Sequence, residues 1–249
     1  MPHRLKFVVT YDGTPFAGWQ SQANGNTIQD VLERAFADVA GERIRVHGSG
    51  RTDAGVHALA QCAHVDVPSR QLKPGIWTAA LNASLPPEIR VVRCAYVGTK
   101  FHARFDATGK LYRYRIWNDR YLSPFEIDRA WHVPHAIDVE RLTREAQQFL
   151  GKHDFASFAA NRGHAVEDTV RTITSALVRK SGKCITLEFR GDGFLYKMVR
   201  MMVGALVRSA RHESTAGEIR ERLRNPRSAK SPARPAAPAC GLYLVRVFY

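Results

Sequence analysis

Gly48-Ser49-Gly50-Arg51-Thr52-Asp53-Ala54-Gly55-Val56-His57 lies between a strand-like run at 44–46 and another at 61–67. A glycine-rich turn after a strand is where nucleotide-binding loops sit, but two familiar templates fail here. The dinucleotide fingerprint G-x-G-x-x-G would need glycine at position 53, which is Asp53. The P-loop spacing runs from Gly50 to Gly55, yet Val56 stands where its lysine should be. An anionic side chain in the middle of the loop would also repel a cradled phosphate. What remains is one carboxylate among small residues, with the Arg51 guanidinium two positions earlier. Two readings stay open. Asp53 can close an Asx-turn on its own backbone. It can equally be a reactive carboxylate, in a loop whose three glycines in eight positions let another group come close. In a basic chain Arg51 is then a nucleic-acid contact. A two-metal site needs several clustered acids, and no second acid follows Asp53 before Asp66. Any catalysis here uses a lone carboxylate and no metal.

The chain around this loop has 249 residues, with 37 Lys plus Arg against 23 Asp plus Glu, a net charge of +14. That length buries a sizeable core without disulfide staples. The hydrophobic share of 45% excludes disordered and collagen-like classes. The excess of cations points to a polyanionic partner, nucleic acid ahead of anionic membrane. No run approaches the roughly 20 apolar residues of a membrane span. The opening MPHRLKFVVTYDG reads as a strand rather than a signal peptide, so a cytoplasmic protein is expected. Cys62, Cys94, Cys184 and Cys240 are scattered and read as reduced thiols. His132-x-x-His135 is interrupted by Pro134, which argues against a helical metal site.

The charge is uneven. Residues 194–235 carry a net +7 and residues 98–120 a net +4. At about 100° per residue, Lys197, Arg200, Arg208 and Arg211 fall within roughly an 80° helical stripe that includes Gly204. Phe194, Met198, Met201, Met202, Ala205 and Leu206 form the neighbouring apolar face. Either a surface helix with snorkelling arginines or a phosphate-facing helix fits that spacing.

Leu5, Phe7, Val9 and Tyr11 alternate as a strand. After turn signals at Gly13, Gly18 and Asn24-Gly25, Thr27 can cap a helix that Gly41 ends. A helix is expected at 77–85, stopped by Pro86-Pro87, and a strand at 89–97. A second half begins near Gly98, with a strand at 111–117 and a helix capped by Asp138 that runs to 150. Strands at 170–178 and 184–189 bracket Ser181-Gly182 as a hairpin. The basic helix, a short helix at 215–224, a Pro/Ala-rich stretch at 226–239 and a closing strand at 242–249 follow. This is an α+β pattern: two related α/β subdomains, 1–97 and 98–249, sharing a continuous, mainly antiparallel sheet with helices on one side.

GSGRTDAGVHALAQ resembles the signature loop of the tRNA pseudouridine synthase A family. Tyr11-Asp12-Gly13 with Gly18-Trp19-Gln20, Asn82 with Leu85-Pro86, Phe101-His102-Ala103-Arg104-Phe105, and Lys110-x-Tyr112-x-Tyr114 follow the family pattern in order. So do His153-Asp154-Phe155, Met198-Val199-Arg200 with Val203-Gly204, and Ala237-Pro238-Ala239-x-Gly241-Leu242. The resemblance implies isomerisation of uridine to pseudouridine at positions 38, 39 and 40 of the tRNA anticodon stem-loop, without cofactor or metal. It implies that Asp53 is the essential aspartate, that Tyr112 packs against the target uracil, and that Arg51 is a partner of the displaced RNA. Arg200 would be the basic residue paired with the aspartate, and the protein would be a homodimer. Read without the family, Tyr112 is an ordinary core tyrosine and Arg200 a phosphate contact. The rival function is a non-catalytic RNA binder, for which no RNP1-type run is present. A synthase acting on another RNA would share the chemistry.

Overall fold

The computed structural model describes residues 3–23, 25–68, 72–160, 168–215, 217–227 and 236–249. The chain forms two compact units, one of residues 1–108 with 243–249 and one of residues 109–242. The division falls later than the break expected at 97/98. It also returns the closing strand to the first unit.

The first unit contains β1 (His3–Tyr11), α1 (Ile28–Ala40), β2 (His47–Gly48), β3 (His57–Val67), α2 (Pro74–Ser84) and β4 (Ile89–Tyr96). β1 is antiparallel to both β3 and β4. The alternation read in the sequence holds, because Leu5, Phe7, Val9 and Tyr11 are all buried. Thr27 caps α1 by accepting a hydrogen bond from the Asp30 N–H at 3.2 Å. Gly41 ends it in the left-handed region at φ 75°, donating its N–H to the Ala37 carbonyl. The face between those caps is apolar. Phe36 meets Phe7 of β1 at 5.1 Å between ring centroids and Trp77 of α2 at 5.8 Å. Burying a side chain of that size is worth about 1.5–3 kcal/mol, which makes this cluster the anchor of helix on sheet. The expected strand at 44–46 is absent. Ile44 and Val46 are buried, and pairing with β3 starts only at His47.

The second unit runs through β5 (Gly109–Trp117), β6 (Trp131–His132), α3 (Val139–Ala146), β7 (Gly151–Asp154), β8 (Val170–Ser181), β9 (Cys184–Gly191), α4 (Met198–Ala210) and α5 (Glu218–Arg224). Its strands follow the order β5-β9-β8-β7, antiparallel throughout, with β6 parallel on the end of β5. Gly182 makes the β8–β9 hairpin turn at φ 56°. Asp138 caps α3 by accepting from the Arg141 N–H at 2.9 Å. β10 (Leu242–Phe248) then pairs in parallel with β3, Tyr243 opposite His57. The fold is α+β and mainly antiparallel, as the sequence pattern indicated.

The basic helix differs from expectation. α4 starts at Met198, because Lys197 sits at φ 58° and the chain cannot propagate a right-handed helix through it. Phe194, expected on its apolar face, lies before it. Most of α4 is buried, including Gly204, Ala205 and Leu206.

Candidate active site

The loop at 49–56 joins β2 to β3, and its entrance is closed by hydrogen bonds that the two strands begin. The Ser49 N–H donates to the Cys62 carbonyl at 2.8 Å. The Ser49 hydroxyl donates to Gln61 Oε1 at 2.6 Å, and Gln61 Nε2 donates to the Gly50 carbonyl at 2.9 Å. A second layer of contacts comes from the segment after β1. The Trp19 N–H donates to the Thr52 carbonyl at 3.0 Å, and the Tyr11 and Thr52 hydroxyls are 2.9 Å apart in the interior. The Gly13 N–H donates to His57 Nδ1 at 3.1 Å. The His57 ring, buried, stacks on Tyr243 at 4.6 Å.

Glycines make this approach possible. A β-carbon at Gly13 would lie 2.0 Å from the Val56 carbonyl oxygen. At Gly18, where φ is +94°, one would lie 2.8 Å from the Thr52 carbonyl oxygen. Main chain thus packs on main chain on both sides of Asp53. Thr52 turns inward, Arg51 is exposed, and Asp53 is half-buried between them. The turn that presents Asp53 is closed through its main chain, with the Val56 N–H donating to the Asp53 carbonyl at 3.1 Å. The backbone that carries this carboxylate is thus held from both sides.

Tyr112 and Arg200 belong to the second unit. Tyr112 lies on β5 opposite Phe189 of β9, and its buried ring meets Phe194 edge-on at 5.0 Å. Two residues along, Tyr114 is fully buried and its hydroxyl donates to the Pro238 carbonyl at 2.7 Å. Burial pushes the Tyr114 hydroxyl well above the usual phenol range, so it stays a proton donor. Arg200 is half-buried on α4. Its Nε–H donates to the Ala237 carbonyl at 2.7 Å, and the Ala237 N–H donates back to the Arg200 carbonyl at 3.0 Å. The Pro/Ala-rich stretch at 226–239 is therefore tied to α4 at Ala237. Residues 228–235 of that stretch lie outside the described residues.

The phosphate-facing stripe is not what α4 presents. Arg208 faces Glu218 of α5 at 3.7 Å, and Arg222 reaches the same carboxylate at 3.8 Å. Arg211 pairs with Glu213 at 2.7 Å. These guanidiniums serve internal partners because α4 is a core helix whose neighbours supply acids. Among the described residues no group of three or more His, Cys, Asp or Glu is placed to hold a metal ion. None of their helices is long and apolar enough to cross a membrane.

The sequence reading missed Tyr11, Thr52, His57 and Gln61 as the groups that hold the loop. The only available signal was the pair of glycines at 13 and 18, Gly13 two positions after Tyr11 and Gly18 directly before Trp19.

The sequence pattern of the family described as tRNA pseudouridine synthase matches residues 7–106 and 146–249, which takes in the loop, both of its clamps and Arg200. The chain belongs to that family. A tRNA pseudouridine synthase A of Akkermansia muciniphila is 47% identical, the match covering 99% of this chain and 95% of the relative. Proteins of the same name from Methylacidiphilum infernorum and Acetivibrio thermocellus are 43% and 41% identical over 98% of this chain, covering 94% and 99% of their own lengths. Membership in the tRNA pseudouridine synthase family makes the chain an isomerase, and the rival reading of a non-catalytic RNA binder falls.

Proposed function

We propose that this enzyme converts uridine to pseudouridine at positions 38, 39 and 40 of the tRNA anticodon stem-loop, with Asp53 as its essential carboxylate. The observation that carries the reading is the clamped loop: main-chain contacts fix both flanks of a half-buried Asp53. The reaction breaks the bond from N1 of uracil to C1′ of the ribose and makes one from C5 to C1′. C5 loses a proton and N1 gains one, so no oxidant or cofactor is consumed. The target uracil has to leave the base stack before it can turn. Asp53 serves as the reacting carboxylate, as nucleophile or as base.

In this reading Tyr112 gives the rotating base a flat wall, Arg51 engages the displaced RNA, and Arg200 is the cation for the aspartate. The net charge of +14 supports a tRNA partner, the enzyme acting as a homodimer in the cytoplasm.

Tritium at uridine C5 reports the reaction directly, because that hydrogen is the one lost. The wild-type protein is expected to release tritium from such tRNA. Asp53→Asn is expected to bind the same tRNA with unchanged affinity and release none. Release by Asp53→Asn at the wild-type rate would remove Asp53 from the chemistry.

A further inference from the structure

One aromatic motif of the first unit has no part in the chemistry above. Phe101-His102-Ala103-Arg104-Phe105 follows β4, and Phe105 is 75% exposed. The ring is nevertheless held in place. It stacks on His102 with 4.2 Å between centroids and 30° between planes. His102 is itself fixed, since its Nδ1 accepts from the Arg104 N–H at 3.1 Å and the Phe105 N–H at 3.3 Å. The His102 N–H donates to Asp106 Oδ2 at 3.0 Å, and the Asp106 N–H returns to the His102 carbonyl at 3.0 Å. Beneath this turn, His102 meets His64 of β3 edge-on at 4.7 Å. The Ala103 N–H donates to His64 Nδ1 at 3.2 Å. With one face on an imidazole and three-quarters of the residue exposed, Phe105 offers its other face to solvent.

The surroundings select a partner. The Arg104 guanidinium lies 5.7 Å from the Phe105 ring centre, within cation–π range. Lys100, Arg104 and Arg45 are exposed cations of the same unit. Asp106 accepts from the His102 N–H within the turn, and Asp66 is paired with Arg4 at 2.7 Å. A held aromatic face with a guanidinium beside it suits a nucleobase and its phosphate, since a base presents a flat π-face and a backbone charge together. An apolar protein surface would match the ring but not the Arg104 guanidinium beside it.

We propose that Phe105, seated on His102 and flanked by Arg104, is an RNA contact on which an unpaired base of the tRNA, other than the reacting uridine, stacks. The proposal rests on tRNA as the substrate and adds a second point of attachment. His64 stands seven residues along β3 from His57, roughly 23 Å at about 3.3 Å per residue. Phe105 therefore holds RNA without touching the reacting atoms.

Phe105→Ala is expected to weaken binding of unmodified tRNA roughly 5- to 150-fold, the range that loss of one base–aromatic stack implies. KM rises with it, while kcat for tritium release at saturating tRNA stays within about twofold. Phe105→Trp is expected to keep wild-type affinity, and the emission its indole adds is quenched when tRNA is titrated in. Unchanged tRNA affinity in a folded Phe105→Ala protein overturns the proposal, as does added emission in Phe105→Trp that is indifferent to tRNA. So does weakened self-association with tRNA affinity intact, which would assign the ring to a second copy of the chain. The functional reading is tested separately: tritium release by the wild type upholds it whatever Phe105 does.

Discussion

Elimination isolates Asp53 as the lone acid of a loop that fails as a phosphate cradle, but only the family resemblance implies a role for it. What holds Asp53 was not legible. The Tyr11–Thr52 contact spans 41 positions and the Gly13–His57 bond 44, so no local pattern signals either. Gly13 shows how tightly the two segments fit. A methyl group there points into the Val56 carbonyl, an atom that can move only with the loop. Gly13→Ala is therefore expected to cost about 1–3 kcal/mol of stability, the usual range for forced overpacking. It should also lower kcat for tritium release by displacing Asp53. Urea unfolding and single-turnover rates would check both effects. A variant as stable and as fast as wild type would mean the loop is not clamped at this point.

Elements differed in how much of them could be read locally. α1 was legible from both of its caps, since Thr27 and Gly41 act on their own turns. α4 was not, although its periodicity was correct. Spacing put Lys197, Arg200, Arg208 and Arg211 on one stripe, but spacing does not reveal what a stripe faces. Glu218 of α5 and the Ala237 carbonyl decided that. Arg208→Ala is accordingly expected to act on stability. It removes a cation from the side of Glu218, with both side chains less than one-fifth exposed. The expected cost is roughly 1–3 kcal/mol, below that of a fully buried pair because Arg222 still faces the same carboxylate. Urea denaturation would measure it, and the salt dependence of tRNA binding should keep its slope. A flattened slope would restore Arg208 to the RNA-facing surface.

On the scale of the molecule, the destination of β10 was not readable. β10 follows the second unit in sequence yet pairs with β3 in the first. The first unit also gathers His47, His64 and His102, which the sequence scatters. Burial, reinforced by Arg4, His47 and His102, lowers His64 from the ordinary 6.5 to about 4, Asp66 acting in the opposite direction. His47 is shifted down for the same leading reason. The unfolded chain thus binds protons that the folded chain refuses between pH 6.5 and about 4. Stability is expected to be full above pH 6.5, to fall through that window, and to lose nothing more to His64 below it. His64→Gln should flatten this part of the profile in urea titrations. An unchanged slope would place the acid sensitivity elsewhere.

The sequence by itself determined the strand and helix periodicities, the caps, the excess of cations and the identity of the lone acid. Each depends on residues a few positions apart or on composition. Tertiary structure alone decided which cations face acids and which face solvent, and what grips the loop around Asp53. It also decided where the last strand pairs. Those outcomes rest on close approach between distant segments, where a missing β-carbon or one neighbouring carboxylate settles what a side chain can do.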